Sequence, residues 1–142
     1  MIPLFTLFFF MVAPPPSSLD QVKAEPNAER RARAAIDYAA MAEKNAEAGF
    51  DKGDTAGVES GLKNVEASFD LAKEAFAASG KTPGRNPGPF KYAEVHSREL
   101  LIRLGDLEQR MDASDRELVE RVKGKIQEIH DAWFEGIMGK KK

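Results

Sequence analysis

Cysteine is absent from the 142 residues. Its absence excludes a disulfide framework, thiolate catalysis and cysteine-ligated zinc or iron–sulfur centres, and leaves no residue for bacterial lipobox lipidation. Histidine is scarce, with His96 and His130 only. Neither has a glutamate three positions earlier, where Ala93 and Gln127 stand, so the Glu-x-x-His signature of di-iron bundles is missing. Surface pairing is expected for both, with His96 near Glu99 and His130 near Asp131 and Glu135. There is no H-E-x-x-H, phosphate loop or dinucleotide fingerprint. Ser60, Ser68, Ser79, Ser97 and Ser114 lack the glycine elbow that exposes a serine nucleophile. Charge of one sign is also lacking: the formal net charge of −2 gives no global pull toward nucleic acid or membrane. No enzyme activity, metal, cofactor or nucleic-acid partner is expected from these features.

Long hydrophobic runs are scarce too. Ile2 to Ala13 is uncharged, but as a helix it spans about 18 Å against roughly 30 Å of bilayer hydrocarbon. That length suits a signal-peptide core. No Lys or Arg precedes it, and Pro14-Pro15-Pro16 follows at once, which disfavours cleavage after Ala13. Val22-Lys23-Ala24 offers a cut after Ala24. Residues 1–24 are therefore expected to be a signal peptide with a Pro-rich tail, and the product exported, periplasmic or secreted. An uncleaved membrane tether is the alternative.

What the chain has is helical periodicity. Val58, Leu62, Val65, Phe69, Ala72 and Phe76 recur at four- and three-residue steps. So do Ala93, Ser97, Leu100, Leu104, Leu107 and Met111, and again Val119, Val122, Ile126, Ile129, Trp133 and Ile137. Each set lays one apolar stripe along a helix. A preceding segment carries a stripe of Ala28, Ala32, Ala35, Ile36, Ala39, Ala42 and Ala46. Alanine favours helix and lets a neighbouring backbone come close. Gly57 and Gly61, one turn apart, mark the next helix as that neighbour. Between them Gly53 suits a helix C′ position and Asp54 an N-cap. Helices are expected at about 27–49, 54–79, 89–112 and 115–137, within an all-α domain of residues 25–139 followed by a basic tail, 140–142.

Pro83, Gly84, Pro87, Gly88 and Pro89 break the middle of the chain into consecutive turns. Pro89 suits the first position of the third long helix. Ser114-Asp115-Arg116-Glu117 reads as a capping box that opens the fourth. Short connections on either side of this loop make two antiparallel hairpins, packed as an up-down four-helix bundle or as a staggered, solenoid-like pair. Val95, Leu101 and Ile102, together with Leu71, add apolar residues beside the main stripes and are expected to serve the core.

Ala46, the Gly53-Asp54 turn, Val58 and Leu62 follow a small–turn–small–large order, and the first hairpin resembles a tetratricopeptide unit there. Phe50 stands where the family's aromatic falls earlier, Val58 replaces an alanine, and there is no second copy at the family's period. More broadly, the chain resembles uncharacterised exported helical-hairpin proteins of bacteria. That resemblance implies a binding or scaffold role.

Folding the hairpins antiparallel gathers Arg30, Arg31, Arg33, Lys81, Arg85, Lys91, Arg98, Lys140, Lys141 and Lys142 at one pole. Acids such as Glu47, Asp51, Asp54, Glu59, Asp106, Glu108, Asp112, Asp115 and Glu117 collect at the other. Phe134 and Met138 lie about 100° off the last stripe, next to the lysine tail. These cations and the two apolar residues form the candidate interaction surface. The expected role is a non-enzymatic interaction or scaffold module of the cell envelope, with a protein or anionic envelope component as partner. Peripheral membrane contact, or self-association as a structural domain, are the alternatives, and a metal- or ligand-binding bundle through His96 or His130 is a more distant one.

Overall fold

All regular structure in the computed structural model, which describes residues 18–139, is helical. A short α1, Leu19–Ala24, precedes four long helices: α2, Ala28–Asp51; α3, Thr55–Ser79; α4, Pro87–Arg110; and α5, Arg116–Met138. The protein is an all-α assembly of two antiparallel hairpins, α2–α3 and α4–α5. The hydrophobic run Ile2–Ala13 and the lysine tail lie outside the described residues.

The first hairpin is built on small side chains. Ala32, Ala35, Ala39, Ala42 and Ala46 are buried along α2, and α3 lies against them. Gly61 sets the closeness of that approach: a Cβ added there would sit 2.9 Å from the Ala42 carbonyl oxygen and 2.9 Å from the Ala46 Cβ. Gly57 does not share this role, because a Cβ there would meet the Asp54 carboxylate rather than α2. Asp54 needs that space, since its Oδ1 accepts from the Gly57 amide at 3.0 Å as the N-cap of α3. Gly53 turns the chain with φ of 71°, a left-handed conformation that strains other residues.

The second hairpin starts at Asn86, and Pro87 rather than Pro89 occupies the first helical position of α4. At the start of α5 the capping box does not form. Asp115, not Ser114, is the N-cap residue, and its side chain makes no cap hydrogen bond. The Arg116 Nε instead donates to the Met111 carbonyl at 2.9 Å, which ties the end of α4 to the start of α5. Leu62, Val65, Phe69, Leu104, Leu107, Val119, Val122 and Ile126 fill the core as their stripes require. Phe76 joins three helices: its ring stacks on Phe90 with centroids 4.3 Å apart and meets Trp133 edge-on at 5.4 Å. Such aromatic pairs contribute about 0.5–1.5 kcal/mol each beyond the area they bury. The extra apolar group on α4 departs from expectation. Leu101 is half-buried, whereas Val95 and Ile102 face solvent, Ile102 with 61% of its surface exposed.

Polar contacts report how the hairpins stack. Along α2 and α4 the partners run Asp37 with Tyr92, Glu43 with Arg103, and Asp51 with Arg110, ascending together. Along α3 and α5 they run Glu66 with Arg121, then Asp70 with Lys125. Like helices are therefore parallel, and α2 packs on α4 while α3 packs on α5. This is the solenoid-like pair rather than a ring of sequentially adjacent helices. The exposed ion pairs among these contacts contribute about 0–1 kcal/mol each, so they register the stack while apolar burial holds it.

Helix α1 lies ahead of residue 25 and joins this core. Ser18 Oγ caps α1 by accepting from the Gln21 amide at 3.2 Å, and Arg31 Nη1 donates to the Glu25 carbonyl at 2.8 Å, which fastens the end of α1 to α2. Val22 is 1% exposed, packed with the core. Truncation to a chain beginning at Glu25 is expected to lower stability by about 2 kcal/mol, the usual worth of one buried valine side chain. Urea unfolding of the two lengths measures it, and equal midpoints would contradict a structural role for α1.

Candidate functional site

Parallel stacking starts α2 and α4 at the same end of the molecule, and this end assembles most of the candidate cations. The loop between the hairpins closes it. Pro83 rests on the last turns of α5, where a Cβ on Gly136 would fall 2.7 Å from Pro83 Cβ; glycine is what lets the loop seat there. Lys81 ion-pairs with Glu29 across the loop and α2. Between the first turns of α2 and α4 lies a cleft of about 510 Å³, lined by Glu29, Arg30 and Arg33 on one wall and by Gly88, Pro89 and Tyr92 on the other, with Phe76 and Asn27 also facing it.

Tyr92 organises that cleft. Its Oη donates to Asp37 Oδ1, fixing the ring between α2 and α4. The Arg33 guanidinium carbon lies 4.1 Å from the ring centroid, a cation–π contact. Burial and the Asp37 carboxylate raise the Tyr92 pKa above the ordinary phenol value, with Arg33 opposing them, so the ring stays a neutral donor. His96 packs against the same ring with centroids 4.1 Å apart. With the Glu29 carboxylate engaged by Lys81, the cleft offers two guanidinium groups, one held against an aromatic floor, to an incoming carboxylate.

The candidate cations divide into distinct roles. Arg30 and Arg33 line the cleft, and Arg85 and Lys91 stand exposed around the same pole. Lys81 is engaged by Glu29, and Arg31 is committed to the Glu25 carbonyl. Arg98 lies farther down α4, its Nε 3.6 Å from Glu94 Oε1, on the flank of the second hairpin. Phe134 and Met138 are exposed at the end of α5, at 44% and 66%. Lys140, Lys141 and Lys142 fall outside the described residues.

Two polar arrangements were not visible in the residue pattern. His130 is buried rather than on the surface: its Nε2 lies 3.1 Å from Glu94 Oε1 and its Nδ1 3.1 Å from Asp131 Oδ1, with Phe134 stacked on the ring at 6.1 Å. Hydrogen bonds from His130 and then Gln127 hold the Asp131 carboxyl below the usual carboxylate range. The cluster clasps α4 to α5. His96 makes the expected pair with Glu99, 3.6 Å away. Among the described residues, no group of three or more His, Asp or Glu side chains is placed to hold a metal ion. The second arrangement is Glu43, fully buried on α2 with neither carboxylate oxygen hydrogen-bonded. Burial first, and the Glu47 carboxyl one turn on, push its pKa up to about 8, against the pull of Arg103 and Lys44.

No known family model matches the chain, no curated protein matches it, and no solved structure matches it. Among the described residues, no helix is long and apolar enough to cross a membrane.

Proposed function

We propose that this protein is an exported, non-enzymatic helical interaction module that binds an acidic segment of a partner protein through the cleft at its basic pole. The observation that carries this reading is the convergence of Arg30 and Arg33 on a shaped cleft floored by Tyr92, with Arg85 and Lys91 around the same end. A planar guanidinium pre-placed over an aromatic ring loses little freedom on engaging a carboxylate. The first turns of α2 and α4 add the positive ends of two helix dipoles beside the same opening. The apolar run at Ile2–Ala13 supports export, and the tetratricopeptide-like first hairpin supports a scaffold role in the cell envelope.

Titration with a labelled oligoglutamate peptide tests the reading. Wild-type protein is expected to bind it, with affinity falling as salt rises. The Arg30→Glu/Arg33→Glu variant is expected to lose at least about tenfold in affinity, or roughly 1.4 kcal/mol. Phosphatidylglycerol vesicles form the comparison arm. Vesicle binding without peptide binding, or peptide binding that survives the charge reversal, would overturn the assignment to an acidic protein partner.

A further inference from the structure

The pole opposite the basic cleft holds a larger one, of about 690 Å³, between the α2–α3 turn and the α4–α5 connection. Val58, Leu62, Met111 and Leu118 give it apolar lining, and Phe50, ringed by the Arg110 guanidinium at 5.0 Å, closes one side. Its rim is predominantly acidic, with Asp54, Glu59, Asp115 and Glu117 against Lys63 and Arg121. An apolar pocket with an acidic rim suits an apolar side chain presented among cations.

The chain itself carries that ligand. Phe134 and Met138 project from the last turns of α5, which also carry Asp131 and Glu135, in the same region where Pro83 seats the loop that bears Arg85. In sequence, Lys140, Lys141 and Lys142 follow directly. The two surfaces cannot meet within one molecule. Glu117 and Leu118 stand in the first turn of α5 and Met138 at its end, about 30 Å apart along a straight helix.

We propose that copies of this chain associate head to tail, the Phe134–Met138 end of one copy seated in the acid-rimmed apolar cleft of the next. The inference rests on reading the basic pole as a docking surface and names a second copy as one of its acidic partners. Such a contact is heterologous: each copy keeps a free knob at one end and a free cleft at the other, so assembly continues beyond two. Because oppositely charged ends meet in it, this association is expected to depend on concentration and to weaken as salt rises.

Sedimentation velocity on the full chain tests this. At low salt, wild-type protein is expected to show a sedimentation coefficient that climbs with concentration, and to return to monomer at high salt. Met138→Asp removes the knob, and Glu59→Lys/Glu117→Lys reverses the rim; all three positions are exposed, and circular dichroism checks that each variant is folded. Each variant alone is expected to stay monomeric. Their equimolar mixture is expected to form a dimer and nothing larger, because it contains one intact knob and one intact cleft per pair. A wild-type monomer at every concentration, a closed wild-type dimer, or a ladder that both variants preserve would overturn the proposal. Met138→Asp retains Arg30 and Arg33, so its oligoglutamate binding separates the two readings. Loss of self-association in Met138→Asp with peptide binding intact supports the contact, whereas a wild-type protein that binds the peptide yet stays monomeric overturns only the head-to-tail contact. A self-associating protein that binds no peptide overturns only the oligoglutamate-binding role of the Arg30/Arg33 cleft.

Discussion

Glu43→Gln is expected to raise the melting temperature at about pH 8 by about 5 °C or more and to flatten its fall with rising pH. Glu43 is 0% exposed, and Arg103 Nη1, the nearest cation given by the contacts between α2 and α4, lies 3.9 Å from Oε2, too far for a hydrogen bond. The folded-state pKa stands at about 8 against an ordinary 4.5. A carboxyl raised in this way favours folding in its protonated form. Its contribution is complete below the unfolded value near 4.5 and is lost as pH climbs toward 8. At about 1.4 kcal/mol per pKa unit the loss amounts to a few kcal/mol. Asp131 and Glu108, whose pKa values are lowered, act in the opposite sense and only in acid, below their ordinary values. Comparing wild type with Glu43→Gln from about pH 5 to pH 9 therefore isolates the buried group. The amide cannot ionise, so the two proteins should converge at the acid end and separate toward the alkaline end. Glu43→Leu, which also removes the unsatisfied polar atoms, is expected to be the more stable variant throughout. A wild-type stability that rises relative to the variant between about pH 5 and pH 9 would mean that Arg103 holds the ionised form, contrary to this account.

Gly61→Ala and Gly124→Ala are expected to change stability in opposite directions. Both residues sit inside helices, where alanine is preferred over glycine by about 1 kcal/mol. At Gly124 nothing lies within 4 Å of an added Cβ, so the substitution should gain about 0.5–1 kcal/mol. At Gly61 the new methyl would overlap the α2 backbone at Ala42 and Ala46. Neither is the end of a flexible side chain, so relief requires α2 and α3 to separate, loosening the alanine seam along its length. Overpacking of that kind costs about 1–3 kcal/mol and outweighs the propensity gain. Urea midpoints for the pair measure it, and a stabilised Gly61→Ala would show that the hairpin is not set by this contact.

The sequence shows the long helices through their stripes, because burial of one helix face imposes a period close to 3.6 wherever the side chains are large enough to register. Even the alanine face and its glycine partner are legible, as is the Gly53-Asp54 turn, whose chemistry is local. What escapes the sequence is non-local or against type. Glu43 falls between Ala39 and Ala46 at core spacing, yet a charged residue there reads as surface until the α2–α4 contact is known. The Glu94–His130 clasp joins residues far apart in the chain, and Tyr92 enters the cleft only because α2 and α4 run parallel. Helix α1 is six residues long with a single buried side chain, too short to show a period. Val95 and Ile102 are apolar without being core, which patterning alone cannot distinguish. Of the candidate surface, the polar segregation of charge was legible; the division between cleft-lining Arg30 and Arg33 and the engaged Arg31 and Lys81 required the fold.

The most direct measurement is a nitrogen-15 chemical-shift titration of the protein with oligoglutamate. The expected result is perturbation centred on Arg30, Arg33, Lys91 and Tyr92 and on the loop through Arg85, with the amides of Glu59 and Glu117 unmoved. Perturbations centred on the opposite pole, or none at saturating peptide, would contradict the basic cleft as the docking surface.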